Sequence, residues 1–156
     1  MFAEPLRQVP LCDVQGSFQR LRSEIEPAIM RVLASGQVIL GPEVAALERE
    51  IADYCGAKHA VGCSSGSDAL LLALTALGID EGDEVIMPAF TFFATAGAAC
   101  RLGARPVFAD IDPQTFNIDS SDIERRITAR IRAIMPVHLF GQCADMAPPR
   151  DRKSVV

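Results

Sequence analysis

Short apolar segments alternate with helical segments along residues 59–137, and this alternation constrains the fold more than any other feature of the chain. Each apolar segment has the length of a strand, and turn residues bound it. The strand candidates are residues 59–63, 84–87, 106–109 and 131–137. Because helices between successive strands serve as crossovers, the pattern predicts an α/β fold with a mainly parallel sheet and helices on both faces.

Two helices are predicted before the first of these strands. Apolar residues at helical spacing predict a helix over 17–35, in which Pro27 predicts a kink or a break into two shorter helices. Pro42 opens the second helix and Gly56 ends it. The predicted buried stripe of this second helix consists of Val44, Leu47, Ile51 and Tyr54.

Helices are also predicted between the strands. One opens in the small-residue segment 64–67 and runs through Leu77, and another covers residues 91–102. Ser120 or Ser121 is expected to cap a third, which ends at Ile127.

Composition narrows the classes of partner and location. The chain has 156 residues, 49% of them hydrophobic, so it can bury the core of one domain. A formal net charge of -5 argues against nucleic acid or an anionic membrane surface as a partner. Five scattered cysteines indicate reduced thiols in the cytoplasm, and two histidines without paired cysteines predict no metal site.

The segment 63–74 joins a loop of small residues to a strongly apolar helix. A helix start offers unpaired backbone N–H groups and a partial positive charge, which together suit a phosphate. Ser65 and Ser67 would add hydroxyl donors, and Gly66 would allow close approach to the backbone. These serines are also typical helix caps, and the segment matches neither standard phosphate-binding fingerprint, so both interpretations stay open.

The same loop reads as G-x-S-x-G over 62–66, between a predicted strand and a helix, as in a hydrolase nucleophile elbow. Ser64, followed by Asp110 or Asp112 and then His138, would complete a serine–acid–histidine order. The helical segments before this motif supply no oxyanion loop, which weighs against a hydrolase. The two aspartates fit a turn with Asx capping, and His138 fits either a structural or a site role.

Three phenylalanines crowd the turn after the second predicted strand, in the segment P-A-F-T-F-F-A-T at 88–95. Some of them are expected in the core. One at the carboxyl end of the strand would lie at the same sheet edge as the serine loop, where it could stack on a flat ring. A phosphate cradle beside an aromatic side chain suits a phosphorylated aromatic cofactor such as pyridoxal phosphate.

Six ordered blocks together resemble the sugar aminotransferases of the DegT/DnrJ/StrS family, over residues 9–147. The blocks are QVILGPEV at 37–44, SGSDAL at 65–70, GDEVI at 82–86, PAFTFFAT at 88–95, PVFADID at 106–112 and VHLFGQCADM at 137–146. The chain is most similar to members that aminate a keto group on a nucleotide-linked sugar for surface polysaccharide or antibiotic assembly.

The resemblance implies a fold-type-I PLP-transferase large domain, pyridoxal phosphate as cofactor, a glutamate-type amino donor and a homodimer with sites at the subunit interface. By position in the motifs, Ser65, Gly66 and Ser67 would bind the cofactor phosphate, and Phe92 would stack on the pyridine ring. The residues implied to line the sugar-nucleotide site are Gln37, Val38, Ile39 and Leu40.

The chemistry of this family needs a lysine that bonds to the cofactor as a Schiff base. The chain has two lysines: Lys58 precedes the first predicted strand, and Lys153 lies in a charged tail. Neither is placed to serve, so no catalytic residue is assigned. We expect residues 1–147 to form the amino-terminal part of an aminotransferase large domain that is inactive alone, and 148–156 to form a disordered or aberrant tail.

Three classes of function therefore stay open on sequence grounds. The first is a fragment of an aminotransferase, which the ordered blocks favour. The second is a serine hydrolase that uses Ser64. The third is a non-catalytic remnant that binds pyridoxal phosphate or a sugar nucleotide without turnover.

Overall fold

The computed structural model describes residues 11–147 and the backbone of residues 154–155. The chain divides into two compact units, Met1–Gly62 and Cys63–Val156. Residues 148–153 and 156 of the predicted tail lie outside the described residues, so its disorder stays a prediction. No helix in the described ranges is long and apolar enough to cross a membrane.

The first unit contains the two predicted helices, α1 (Val14–Ser35) and α2 (Pro42–Cys55). Both end at glycines in the left-handed region, Gly36 at φ +68° and Gly56 at φ +62°, where a side chain would be strained. Pro27 lies inside one continuous α1, so the predicted break into two helices is wrong.

The predicted buried stripe of α2 is also wrong. Leu47, Ile51 and Tyr54 are exposed, Tyr54 to 89%, and Val44 is half-buried. Within α2 only Ala52 is buried. Helical periodicity correctly identifies residues that share a face, but burial also requires another element to cover that face.

A parallel sheet forms the centre of the second unit, with strand order β2-β1-β3-β4. Its strands are β1 (Glu84–Pro88), β2 (Arg105–Ala109), β3 (Ile131–Ile134) and β4 (Ser154–Val155). The first three confirm predicted strands, although β3 ends before Val137. Residues 154–155 pair with β3 through their backbone.

Residues 59–63 form no strand, so the first strand prediction is wrong. No described strand pairs with this segment. Instead, the Gly62 N–H donates a hydrogen bond to Glu48 Oε1 at 2.8 Å. An apolar segment becomes a strand only when a neighbouring strand satisfies its backbone groups, and the apolar pattern alone does not supply that neighbour.

In the described part of this unit, three α-helices and a short 3-10 turn accompany the sheet. They are α3 (Gly66–Ala76), α4 (Ala94–Arg101), α5 (Ser120–Arg126) and the 3-10 turn Leu139–Gly141. The cap of α5 is Asp119, whose carboxylate accepts from the Ser121 N–H at 2.8 Å. The prediction of Ser120 or Ser121 as cap is therefore wrong, because the carboxylate before them accepts that bond.

Successive residues of β1 point to opposite faces of the sheet, and each face has its own core. Val85 and Met87 pack in one buried cluster with Leu74 of α3 and the alanines of α4. Ile86 packs in the other cluster with Ile123 of α5. This arrangement confirms the predicted sheet with helices on both faces and explains why β1 is apolar without alternation.

A buried carboxylate joins three strands at the amino ends of the sheet. Glu84 is 1% exposed and forms ion pairs with Arg105 and Arg130, the latter at 2.9 Å, while Thr128 donates a hydrogen bond at 2.9 Å. The hydrogen bond from Arg105 is the main cause that holds the pKa of Glu84 below its usual value, and Thr128 and Arg130 act in the same direction.

The ion pairs of Glu84 are expected to make the stability of the fold depend on pH in the acidic range. Because the folded pKa is lowered, Glu84 stabilises the protein above about pH 4.3, the usual value for glutamate, and loses that effect as the pH falls toward the folded pKa. We expect the melting temperature of the wild-type chain to fall more steeply than that of Glu84→Gln between about pH 5 and pH 3. Parallel melting curves for the two proteins across this range would contradict the assignment.

Candidate functional site

A cleft of about 540 Å³ opens at the carboxyl ends of β1 and β3, inside the second unit. Its walls come from the start of α3, the loop between β1 and α4, and the segment that follows β3. The residues on these walls whose side chains can form hydrogen bonds or stack on a ligand are Ser67, Phe92, Thr91, Thr95 and His138. Ligands of parallel α/β sheets bind at this edge, since loops and helix starts converge there.

The first turn of α3 shows that one serine caps the helix and another is free. Ser65 is the N-cap: its hydroxyl accepts from the Asp68 N–H at 3.1 Å and donates to the Asp68 carboxylate at 3.1 Å. The Ser67 hydroxyl has no hydrogen-bond partner among the described residues, and Ser67 lines the cleft. The capping role of Ser65 therefore leaves the Ser67 hydroxyl available beside the cleft.

Asp68 organises the loop before α3. Its carboxylate accepts hydrogen bonds from Ser64 and Ser65, and Arg101 lies 3.5 Å away. The bonds from Ser64 and then Ser65 lower the pKa of Asp68, and Arg101 adds to the effect. The negative charge next to the helix start is thus engaged by neighbouring donors, which reduces its repulsion of an incoming anion.

The start of α3 fits a phosphate group. A Cβ placed on Gly66 would meet no atom within 4 Å, so the backbone there is open to close approach. The N–H groups of the first turn lack intrahelical partners, and the Ser67 hydroxyl adds a donor beside them. Of the three residues expected to hold a cofactor phosphate, Gly66 and Ser67 therefore line the cleft, whereas the Ser65 hydroxyl is engaged by Asp68.

The phenylalanines of the β1–α4 loop are all exposed, so the expectation that some lie in the core is wrong. Phe90 packs against Phe116 with ring centroids 5.9 Å apart. Phe92 and Phe93 are 77% and 81% exposed, but only Phe92 lines the cleft. An exposed ring beside the open helix start suits stacking on a flat ligand.

The cleft is also lined by Thr95, which the sequence analysis did not single out, and by His138, for which it left a structural or a site role open. Thr95 is buried, and its hydroxyl lies 3.1 Å from that of Thr91. His138 follows β3, and its Nδ1 accepts from the Ala144 N–H at 3.0 Å. Thr95 lies four residues after Thr91, which precedes α4, and the helix predicted over 91–102 would have placed the two on one face. The bond from Ala144 depends on a turn that no sequence pattern predicts.

The constellation expected of a hydrolase is not assembled. Ser64 donates to Asp68, and the His138 ring bonds to Ala144, so these two side chains share no hydrogen bond. Asp112 accepts from the N–H groups of Gln114 and Thr115, which confirms the predicted Asx turn. Asp110 accepts from the Ile111 N–H and does not reach a histidine.

The remaining predicted residues lie in the first unit or outside the described residues. Val38, Ile39 and Leu40 are exposed and, with Gln37, form the connector between α1 and α2. Lys58 is also in the first unit, and Lys153 lies outside the described residues. Within residues 63–147 no lysine occurs, so the described part of the unit with the cleft contributes none. The described residues include no group of side chains that could hold a metal ion.

Comparison with known proteins assigns this arrangement to a family. The model of the DegT/DnrJ/EryC1/StrS aminotransferase family matches residues 19–151. The chain is 52% identical over 138 residues to a pleiotropic regulatory protein of Geobacillus stearothermophilus. It is 49% identical over 137 residues to the UDP-2-acetamido-2-deoxy-3-oxo-D-glucuronate aminotransferase of Pseudomonas aeruginosa. Both matches cover 88% of this chain.

Solved structures agree in fold. DesV of S. venezuelae superposes with a TM-score of 0.90 at 46% identity and covers 92% of this chain. NtdA of Bacillus subtilis, solved with bound cofactor PMP, superposes with a TM-score of 0.91 at 35% identity and covers 98%. The chain spans between 37% and 39% of the length of these four proteins. It belongs to the DegT/DnrJ/EryC1/StrS aminotransferase family.

Proposed function

We propose that this chain provides the cofactor-phosphate and ring-stacking side of a pyridoxal-phosphate site that serves transamination of a keto group on a nucleotide-linked sugar. The observation that carries the proposal is the cleft in which the open start of α3, the free Ser67 hydroxyl and the exposed Phe92 ring meet. The names of relatives support the substrate class, since one is a UDP-linked sugar aminotransferase and another a dTDP-linked sugar transaminase.

The residues of the cleft would divide the binding task. The first-turn N–H groups at Gly66 and Ser67, with the Ser67 hydroxyl, would hold the phosphate, while Ser65 and Asp68 keep that turn in place. The Phe92 ring would cover one face of the pyridine and exclude water from it. When bound, pyridoxal phosphate supplies an aldehyde that accepts the amino group and a ring that delocalises negative charge.

The proton-transferring lysine is not part of the proposed contribution of this chain. Lys58 belongs to the first unit, and the described part of the unit with the cleft contains no lysine. We therefore propose that the 156-residue chain binds the cofactor without turnover. A glutamate-type amino donor, a homodimer and a sugar-nucleotide loop at Gln37, Val38, Ile39 and Leu40 belong to the proposal through the family resemblance. A cytoplasmic location belongs to it through the five scattered cysteines.

Pyridoxamine phosphate tests the binding part of the proposal, because its amine cannot condense with a lysine. We expect saturable binding to the wild-type chain and about tenfold weaker binding to Phe92→Ala, since stacking and lost ring contact together are worth about 1.4 kcal/mol. Fluorescence titration or equilibrium dialysis measures both affinities.

Phe93→Ala is the matched control, because Phe93 is equally exposed but lies outside the cleft. It should bind pyridoxamine phosphate like the wild type. Absence of saturable binding to the wild-type chain, or equal weakening by the two substitutions, would refute the proposed site.

A further inference from the structure

The hydrogen bond at His138 determines where the ring carries its proton. The Ala144 N–H can only donate, so Nδ1 must accept with its lone pair. In the neutral ring the single proton therefore lies on Nε2. This bond is part-buried, and Ala144 itself is buried.

The turn that holds this bond is fixed independently by Asn117. The buried Asn117 side chain accepts from the Leu139 N–H at 3.2 Å and donates to the Gln142 carbonyl at 3.3 Å. Phe140 adopts a left-handed φ of +52° between these two anchors. The turn thus has support on both sides of its strained residue, and the His138 bond adds a third anchor to it.

His138 is also one of the residues that line the cleft. His138 is exposed, and among the described residues Ala144 is its only hydrogen-bond partner. The wall beside it consists of Met135, Pro136 and Val137. The hydroxyls of Thr91, in the β1–α4 loop, and Thr95, in α4, form a hydrogen bond with each other. A polar donor of defined tautomer on a mainly apolar wall is the kind of group that orients a bound ligand.

We propose that His138 is a ligand-orienting residue whose Nε2–H donates a hydrogen bond to an oxygen of the aromatic ligand in the cleft, while its Nδ1 anchors the turn at Ala144. The identity of the ligand rests on the proposed function. The tautomer rests on the geometry of His138 alone.

Two substitutions separate the two nitrogen atoms. Asparagine places an amide oxygen close to the position of Nδ1 but lacks a group at Nε2, whereas glutamine extends an amide N–H toward the position of Nε2. His138→Asn should therefore keep the turn and lose the donor in the cleft. His138→Gln should keep the donor and lose the Ala144 bond, with Asn117 still holding the turn.

Binding of pyridoxamine phosphate is the first measurement. We expect about tenfold weaker binding to His138→Asn, because this variant loses one hydrogen bond to the ligand. Binding to His138→Gln should stay within about threefold of the wild type, because this variant keeps that bond. Far-ultraviolet circular dichroism confirms that both variants fold. Wild-type affinity in His138→Asn, or equal weakening in both variants, would overturn the proposal.

A nitrogen-15 spectrum of the imidazole rings is the second measurement, and it needs no ligand. At about pH 8, where an ordinary histidine is neutral, His138 should show a bare Nδ1 and a protonated Nε2. Assignment is simple because His59 is the only other histidine. If the wild-type protein fails to bind pyridoxamine phosphate, the proposed function fails, but the spectrum still tests which nitrogen of His138 carries the proton. A proton on Nδ1 in place of Nε2 would overturn the assignment of Nε2–H as the donor.

Discussion

Ser67→Asp is expected to weaken the binding of pyridoxamine phosphate about 100-fold. Ser67 lines the cleft in the first turn of α3, and its hydroxyl has no partner in the described part of the protein. A carboxylate there would lie about 4 Å from the proposed phosphate, where two unit charges repel by about 4 kcal/mol at an effective dielectric constant near 20. Because Ser67 is exposed to solvent, screening lowers this repulsion. A 100-fold loss of affinity corresponds to roughly 2.7 kcal/mol, which is below the unscreened repulsion.

The same substitution should not lower the melting temperature, because a carboxylate in the first turn of a helix interacts favourably with the helix dipole. Binding and stability therefore change independently in this variant. Ser67→Ala is the matched control and should weaken binding by less than about tenfold, since it removes one hydrogen bond and adds no charge. Binding of Ser67→Asp within about threefold of the wild type would exclude Ser67 from the phosphate site.

The fold was predictable where local pattern and burial coincide. Leu74 and the strand from Glu84 to Pro88 lie in segments that are apolar enough to be buried in an α/β fold, and Gly78 follows the helix while Pro88 ends the strand. Prediction failed where burial depends on a partner. The stripe of Leu47 and Tyr54 has correct helical spacing, but both side chains are exposed. Residues 59–63 have an apolar pattern, but no strand in the described part of the chain pairs with them.

The candidate site was predictable to the same degree. Phe92 and Ser67 line the same cleft, as expected, although the strand over 59–63 from which the position of the serine loop was predicted does not form. The division between Ser65 as cap and Ser67 as free donor was not predictable, because either serine satisfies the spacing of a cap. The link from His138 to Ala144 crosses a turn with a left-handed Phe140, which sequence pattern does not specify.

Leu74→Ala is expected to destabilise the protein by about 2–5 kcal/mol, the usual cost of removing a fully buried leucine side chain. Leu74 is completely buried in the cluster that joins α3 and α4 to β1 and β3. The same helix begins at the cleft, so its seating on the sheet also positions Ser67. We therefore expect the urea midpoint of Leu74→Ala to be lower than that of the wild type. Binding of pyridoxamine phosphate should weaken at urea concentrations that unfold part of the variant protein.

Leu72→Ala supplies the comparison, because it makes the same chemical change two residues away on the same helix. Leu72 is 51% exposed, so its loss should cost well below 1 kcal/mol. Helix propensity changes equally in the two variants, and any difference between their urea midpoints therefore reports packing alone. Equal midpoints would mean that α3 does not pack through Leu74, and the position of Ser67 at the cleft would lose its structural basis.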